Sequence, residues 1–190
     1  VVPLPRAKTM PDGRAVKTPG DLLFPYIQEN VDDIITIKEE ELIVAFLDLM
    51  ENHKMVAENS GLLTIAALRH LNAKNKKVVS IISGGNMDVI TMSSVVQHGL
   101  FARSRLFTVS VLLPDKPGQL VDVATLLAKE NANVIRLDHN QFYSINRNDL
   151  VELRITVEAE GPEHKREIVE MLEKGGYRPK IVQPKGTYLG

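Results

Sequence analysis

Two adjacent glycines separate a strand-like run from a helical pattern in the first half of this chain. Residues 78–82 are apolar apart from Ser80, the tetrapeptide Ser83-Gly84-Gly85-Asn86 follows, and helical spacing begins at Asp88 and continues to His98. A strand that ends in two glycines and leads into a helix lets the backbone approach a ligand closely. A plain tight turn is an equally good interpretation of the tetrapeptide taken alone.

The bulk properties exclude several classes of protein. The 190 residues suffice for one large domain or two small ones, and a net charge of −1 gives no broad field that would attract nucleic acid or an anionic membrane. The chain has no cysteine, which excludes disulfides and thiolate metal sites, and we expect no metal. No apolar run approaches the roughly 18 residues of a membrane span. We therefore expect a soluble cytoplasmic protein.

The chain starts at Val1 with neither an initiator Met nor a signal-peptide pattern. We interpret this as a chain that begins in the middle of a longer protein.

The first part of the chain has an α/β pattern. Helices are predicted over residues 21–29 and over residues 60–71. A further helix is predicted between them, which begins at a capping box formed by Thr36 and Glu39 and runs to about Met50. Strands are predicted over residues 33–37 and 77–82. The second of these runs is continuously apolar rather than alternating, which indicates burial on both faces and hence a parallel sheet.

The second part has a βαββαβ pattern. Strands are predicted over residues 106–113, 133–143, 150–158 and 178–183, with helices over 119–130 and 163–174. Two βαβ units joined by a hairpin form a ferredoxin-like sandwich. The helix break at Gly99 divides the chain into a first domain over residues 1–99, a linker over 100–105 and a second domain over 106–190.

A proline–glycine loop joins the first strand and first helix of the second domain. Gly118 allows the turn, Pro117 fixes φ, and the free amides of the helix that follows can receive a carboxylate. A well-built loop with no ligand is the alternative interpretation. We place Asn133, where strand two begins, beside this loop.

Residues 113–120 and Asn131-Ala132-Asn133-Val134 together resemble the ACT domain, a small regulatory module that binds amino acids. The resemblance covers about residues 107–182. It implies pairing of two such domains, with an effector at their interface near the first loop and the start of strand two. The effector candidates are Asp115, Gly118, Gln119, Asn133 and Val134. His139 is expected on strand two facing a partner sheet, or equally as a surface imidazole.

Residues 1–98 resemble the C-terminal part of the catalytic domain of a threonine dehydratase (threonine ammonia-lyase), a pyridoxal-phosphate enzyme of the tryptophan-synthase-β type. The motifs are Thr9-Met10-Pro11-Asp12-Gly13 with Pro19-Gly20, residues 54–61 before an Ala-rich helix, and the Ser83 tetrapeptide, in that order before an ACT domain. Asn59, Leu62 and Met10-Pro11 depart from the usual family residues, which leaves the details of substrate recognition open.

The resemblance implies the deamination of L-threonine to 2-oxobutanoate and ammonia by β-elimination, with a role in isoleucine biosynthesis. Ser83 falls where the family's serine contacts the pyridine nitrogen, and Gly84 and Gly85 would allow close approach to the cofactor. Glu58 would form a pocket wall, or alternatively cap the helix that begins near Ser60. Asn86 would start the following helix, and Asp12 is interpreted as a turn former.

The family's Schiff-base lysine motif and its glycine-rich phosphate loop do not occur in this sequence. Lys8, Lys17 and Lys54 match nothing in that lysine motif. A positioned lysine of lowered pKa is needed for covalent capture of the cofactor, so we expect no catalytic residue in this chain, no productive cofactor binding and no activity of the chain alone.

Two alternative functions stay open, a non-catalytic amino-acid sensor and a relative that acts on serine or another hydroxy-amino acid. For the effector, family habit suggests isoleucine or valine. We expect a homodimer through the ACT domains, a tetramer being possible in the parent enzyme, and a regulatory effect through two quaternary arrangements.

Overall fold

The structure is a computed structural model that describes residues 16, 18, 20–139 and 150–182. The chain divides into two compact units, residues 1–99 and residues 100–190. The Thr9–Gly13 motif, Lys8, Lys17 and the turn expected over residues 146–149 lie outside the described residues.

Helices build the described part of the first unit. They are α1 (Phe24–Asn30), α2 (Glu39–Asp48), α3 (Leu63–Ala67) and α4 (Val89–Ala102); α2 continues as a π-helical turn (Leu49–His53) and α3 as a 3₁₀ turn (Leu68–His70). The buried side chains on α2, α3 and α4 share one apolar core, which comprises Leu42, Ala45, Phe46, Leu49, Ala57, Leu62, Ala66 and Val95. The helix that the sequence predicts up to about Met50 thus packs against an apolar core.

The two strands expected in the first unit are absent from its described residues. Residues 31–38 and 77–83 run without a ladder, and Val79 and Ile81 expose 89% and 73% of their surface. A strand needs a hydrogen-bonded neighbour, and the described part of this unit provides none. The expected parallel sheet is therefore not present here, and the apolar run that suggested burial on two faces is exposed.

The capping contact of α2 lies two residues later than the Thr36–Glu39 box that the sequence suggested. Helix α2 begins at Glu39, and the carboxylate of Glu41 accepts a hydrogen bond from the backbone N–H of Lys38 at 2.8 Å. The second oxygen of that carboxylate lies 2.6 Å from Nε2 of His70. Both contacts favour the ionised form, and they lower the pKa of Glu41, the backbone hydrogen bond most strongly.

Helix α4 ends in a hydrogen-bonded C-terminal cap. At its C-terminus the N–H of Ser104 donates to Phe101 and the N–H of Arg105 donates to Leu100 at 2.8 Å, with Ser104 at a φ of 55°. This is a Schellman motif with serine at the left-handed position. Residues 100–102 of the expected linker are thus helical. Within residues 20–139 and 150–182, no helix has both the length and the apolar character that crossing a bilayer demands.

The second unit is a four-stranded antiparallel sheet with two helices, as the βαββαβ pattern predicts. Its elements are β1 (Leu106–Pro114), α5 (Gln119–Lys129), β2 (Asn133–His139), β3 (Leu150–Glu158), α6 (Pro162–Lys174) and β4 (Lys180–Val182). The strand order is β2-β3-β1-β4. Alternate residues of β1 and β3 pack against α5 and α6, and the largest buried side chains include Val109, Leu113, Leu153, Ile155, Ile168 and Leu172.

The register fixes the direction of β2. Both β1 and β2 run antiparallel to β3, so they run parallel to each other. Pro114 pairs with Leu150 at one end of β3, whereas Asn133 pairs with Glu158 at the other end. The loop after β1 and the start of β2 therefore lie at opposite ends of the sheet, about 25 Å apart along the strand. The expectation that Asn133 lies beside the loop of its own chain is wrong.

Candidate functional site

A close contact joins the Ser83 tetrapeptide to the turn that precedes α3. The N–H of Glu58 donates to the carbonyl oxygen of Gly84 at 3.3 Å. A Cβ on Gly61 would collide with the carbonyl oxygen of Ser83. The two segments, residues 58–61 and residues 83–84, thus meet backbone to backbone.

Gly84 and Gly85 differ in what their positions require. Gly84 has a φ of 82°, in the left-handed region, and a Cβ there would collide with the carboxylate of Glu58. The ideal Cβ position of Gly85 has no heavy atom within 4 Å. Glycine at position 84 is therefore demanded by its backbone conformation, whereas the carboxylate of Glu58 is the end of a flexible side chain and could move aside; position 85 leaves open room beside an exposed backbone.

The carboxylate of Glu58 lies against residues 83–86, which we call the glycine loop; the loop and Glu58 together form the glycine-loop site. Its Oε1 accepts a hydrogen bond from the hydroxyl of Ser60 at 2.5 Å, and Ser60 is buried. Helix α3 begins at Leu63, and the described contact from Glu58 to this helix runs through its backbone oxygen to Leu62 at 3.1 Å. Of the two roles open for Glu58, this geometry favours a wall of the glycine-loop site over a capping carboxylate.

Asp88, rather than Asn86, begins the helix after the loop. Oδ1 of Asp88 accepts hydrogen bonds from the backbone N–H groups of Ile90 at 3.0 Å and Thr91 at 2.9 Å. These contacts are the signature of an N-cap. The hydrogen bond from the Thr91 hydroxyl, with help from its backbone N–H, lowers the pKa of Asp88. A helix cap thus explains Asp88, and Asn86 lies in the exposed loop before it.

These residues fit one side of an aromatic cofactor and no more. An exposed Ser83 hydroxyl and the open space beside Gly85 allow a flat ring to approach the loop. The sequence offers no lysine motif and no glycine-rich run for a phosphate. The described residues of the glycine-loop site therefore leave room for one face of a flat ring such as that of pyridoxal phosphate.

A separate pocket lies in the second unit, at the loop between β1 and α5. It has a volume of about 300 Å³, with an apolar lining from Leu113, Pro114, Pro117 and Leu120. Asp115, Gly118 and Gln119 also line this loop pocket, as does His139 at the end of β2. Gly118 has a φ of 94° at the N-cap of α5, which explains glycine at this turn. Three of the expected effector residues are thus brought together.

Asn133 and Val134 lie away from the loop pocket of their own chain. Asn133 lines another pocket at the far end of the sheet, where its amide donates to the Glu158 carboxylate at 3.2 Å. Val134 pairs with Val157 on an exposed edge strand. The five expected effector residues therefore do not converge within one copy of the chain.

His139 is a residue of the loop pocket that the sequence pattern did not assign to it. It pairs with the buried Leu153 of β3, which places it on the helix-facing side of the sheet near the loop. Its position follows from β2 running parallel to β1, and strand direction is a property that single-strand periodicity does not report. Among the described residues no cluster of three or more His, Cys, Asp or Glu side chains could hold a metal ion.

Comparison with known proteins agrees with the two resemblances. Residues 1–84 match the family model for pyridoxal-phosphate-dependent enzymes, and residues 107–173 match the model for the ACT domain.

Three relatives align with nearly the whole chain. An L-threonine ammonia-lyase from Geobacter sulfurreducens is 37% identical over 179 residues, which make up 93% of this chain and 44% of that protein. Another from Thermotoga maritima is 35% identical, with 92% and 44% covered. The biosynthetic L-threonine dehydratase IlvA from Escherichia coli is 29% identical, with 93% and 34% covered. The chain thus spans less than half the length of these relatives.

A pair of glycine substitutions tests the close contact at the glycine-loop site. Gly84→Ala is expected to lower the free energy of unfolding by about 1–2 kcal/mol, because alanine is strained at this φ and its Cβ meets Glu58. Gly85→Ala, the matched control, is expected to change it by less than about 0.5 kcal/mol. Urea denaturation followed by circular dichroism measures both. Equal effects of the two substitutions would contradict the left-handed conformation of Gly84.

Proposed function

We propose that this chain is the regulatory C-terminal part of an L-threonine ammonia-lyase. Its residues 1–84 match the pyridoxal-phosphate-dependent enzymes, and its residues 107–173 match the ACT domain. The observation that carries this proposal is the alignment of both segments, in the same order, with one relative over 93% of the chain. The reaction is the conversion of L-threonine to 2-oxobutanoate and ammonia. The parent enzyme's role is isoleucine biosynthesis, which fits the biosynthetic relative aligned over 93% of the chain.

In the parent enzyme the glycine-loop site contributes a contact to the cofactor ring. Ser83 offers a neutral hydroxyl to the pyridine nitrogen, and a hydroxyl does not hold that nitrogen protonated as a carboxylate would. Gly84 and Gly85 keep the backbone close to the ring, with Glu58 behind Gly84 and Asn86 at the exit of the loop. When bound, pyridoxal phosphate supplies the electron sink for the elimination.

The chain alone has no catalytic residue and no cofactor of its own in this proposal. The lysine and the phosphate loop have no counterpart in the sequence, and no neighbouring group can replace covalent capture. The exposed apolar side chains of Val79 and Ile81 fit a segment that packs against further residues in the parent enzyme, because a strand in a parallel sheet is normally covered on both faces.

Incubation with pyridoxal phosphate tests the inactivity of the isolated chain. After dialysis the chain is expected to retain no bound-cofactor absorbance and to form no 2-oxobutanoate from L-threonine, because no residue holds the aldehyde or the phosphate. The full-length Thermotoga maritima relative serves as the positive control in the same assay. Turnover of threonine by the isolated chain would contradict the assignment of the catalytic machinery to residues outside this sequence.

The ACT unit carries the function that this chain can perform, the binding of an amino-acid effector. The loop pocket combines an apolar lining with Asp115 and with the N-terminus of α5. Helix N-termini favour carboxylates, a carboxylate side chain can accept from an ammonium group, and the apolar wall suits a branched aliphatic side chain. Isoleucine or valine matches these three features. The same pocket would serve a non-catalytic amino-acid sensor, and the lack of cysteine fits the cytoplasm.

Strand β2 is the surface through which two ACT units would pair. Among the described strands it lies at the edge of the sheet, and Ile135 and Leu137 expose 54% and 40% of their surface. Natural proteins seldom leave an apolar edge strand of this length uncovered. A second copy that adds its own β2 would continue the sheet.

Antiparallel pairing of two β2 strands would reunite the expected effector residues. Across a two-fold axis the end of β2 in one copy meets the start of β2 in the other. The loop pocket and His139 lie at that end, and Asn133 and Val134 lie at that start. Each effector site would therefore take Asp115, Gly118 and Gln119 from one copy and Asn133 with Val134 from its partner.

Binding of isoleucine is expected to depend on this pairing. Ile135→Asp places a charge on the β2 edge and should convert a dimer to a monomer, weakening isoleucine binding at least tenfold, since charge burial at an interface costs several kcal/mol. Leu112→Asp is the matched control, because Leu112 is 49% exposed on β1, away from this edge. Analytical ultracentrifugation and calorimetric titration measure the two effects.

Two results would contradict the proposal in different ways. No heat with isoleucine or valine would remove the effector role of the loop pocket. Full affinity in a monomeric Ile135→Asp variant would retain that role and remove the shared site.

A further inference from the structure

Strand β2 carries one positive and one negative side chain on the face of the sheet opposite the helices. Arg136 pairs with Thr156 of β3, and Asp138 pairs with Arg154. Between these two partners on β3 lies Ile155, which belongs to the core under α5 and α6. Because successive side chains of a strand point to opposite faces, Arg136 and Asp138 project from the other face, which we call the open face.

These two side chains form an ion pair within β2. Nε of Arg136 lies 3.2 Å from Oδ2 of Asp138, and two nitrogens of the guanidinium donate to Oδ1 at 3.3 Å. The two residues are separated by one position on the strand, and both side chains remain in contact with solvent. An exposed ion pair of this kind contributes little to the stability of a single chain. Its position on an edge strand is therefore its more informative property.

Antiparallel pairing of two β2 strands permits a small number of registers. Directly opposite residues of an antiparallel pair lie on the same face of the sheet, so the two-fold axis passes beside one residue of β2. With the axis at Leu137, Arg136 of each copy lies opposite Asp138 of the other. With the axis one residue earlier, Arg136 lies opposite the same residue of the second copy. With the axis one residue later, the same is true of Asp138.

Charge distinguishes these three registers. Directly opposite side chains have Cβ atoms about 5 Å apart, so opposite charges there attract and like charges destabilise the pair. The register with Leu137 on the axis makes the attractive contact twice, because the axis repeats it. Each neighbouring register loses both attractive contacts and brings two like charges together on the axis. The order of the charges along β2 therefore favours one register over the other two.

The ion pair within β2 does not have to break when two strands pair. A carboxylate offers about four lone-pair positions, and a guanidinium has five N–H donors. Asp138 can therefore accept from Arg136 of its own copy and from Arg136 of the second copy at the same time. The four charges then form a closed ring of alternating sign on the open face.

We propose that Arg136 and Asp138 determine the register in which two copies of this chain pair through β2, with Leu137 on the two-fold axis. This inference rests on the pairing in the proposed function and adds the residues that select the partner and the register. In this register His139 of one copy lies opposite residues 134–135 of the other, so the loop pocket meets the part of β2 that carries Val134. A β2 edge without complementary charges at these two positions is a poor partner.

Reversal of single charges in the full chain tests the selection of the partner. Arg136→Asp and Asp138→Arg each place like charges at both opposed positions, so each variant alone is expected to raise the Kd of the dimer at least tenfold. An equimolar mixture of the two variants places opposite charges at both positions, and it is expected to recover a dimer with one copy of each. Analytical ultracentrifugation and native mass spectrometry measure both effects.

The mixture separates a role between copies from a role within one copy. Both variants lack the ion pair within β2, so loss of that pair cannot explain a recovered dimer. Arg166→Asp is the matched control, because it makes the same change in net charge and breaks an exposed ion pair, with Glu163, on α6. It should change the Kd of the dimer less than twofold.

Leu137→Cys reports the register itself. With Leu137 on the axis the two Cα atoms lie about 5 Å apart, within the reach of a disulfide, and mild oxidation is expected to give a covalent dimer. In either neighbouring register an offset of two residues separates the same atoms by about 8 Å, which is beyond that reach.

Three results would overturn the proposal while the pairing through β2 stands. They are a mixture that remains as monomeric as its components, a dimer that both charge reversals leave intact, and a dimer of Leu137→Cys that does not cross-link. A monomeric unsubstituted chain would contradict the pairing in the proposed function and this inference together. Isoleucine titration reports separately on the loop pocket, so the failures are distinguishable.

Discussion

The antiparallel pairing of β3 with both β1 and β2 is the constraint on which the second unit depends. It makes β1 and β2 parallel, and it leaves β2 at the edge of the sheet that the described strands form. The loop pocket and the start of β2 consequently lie at opposite ends of the sheet. The same pairing places alternate residues of β1 and β3, such as Val109 and Ile155, under the two helices. The position of the loop pocket, the exposed edge at β2 and the core beneath α5 and α6 therefore all follow from this strand pairing.

The first unit depends on a different contact, the close approach of residues 58–61 to residues 83–84. Two glycines permit it, Gly84 through its left-handed φ and Gly61 through the space it leaves for a carbonyl oxygen. The contact holds an exposed serine and an open backbone position at the start of α4. In our proposal this contact forms one side of a cofactor site. The lysine motif and the phosphate loop that would complete the site have no counterpart in this sequence. We therefore propose regulation, and not catalysis, as the function of the chain itself.

The sequence predicted the second unit more accurately than the first, for a physical reason. The alternation in residues 150–158 and the 3.6-residue period of α5 and α6 are local patterns, and these elements find their partners within the same 80 residues or so. The strands expected over residues 33–37 and 77–82 needed neighbours that the described part of the first unit does not contain. The apolar β-branched residues there indicate a local preference for the extended conformation, but no neighbouring strand pairs with them in the described residues.

The glycine-loop contact and the place of Asn133 show the same limit. Glycines at positions 84 and 85 look alike in sequence, and the left-handed φ of Gly84 together with its contact to Glu58 distinguishes them in the structure. The interpretation that put Asn133 beside the β1–α5 loop lacked the direction of β2, which is fixed by hydrogen bonds to β3 rather than by any residue of β2 itself. The N-cap at Asp88, in contrast, can be predicted from the sequence, because an aspartate two and three residues before the free amides of a helix is a local signal.

Thiol cross-linking tests the shared effector site most directly, because the chain has no cysteine of its own. Val134 and His139 pair with Val157 and Leu153 on either side of a β-bulge, so they share the helix-facing side of β2, about 13 Å apart within one copy. That distance is beyond the reach of a disulfide, which requires Cα atoms within about 7 Å. A chain carrying both Val134→Cys and His139→Cys is predicted to form a covalent dimer on mild oxidation, while each single variant stays uncrosslinked. Dimers from the single variants with no gain in the double variant, or no dimer at all, would contradict antiparallel pairing through β2.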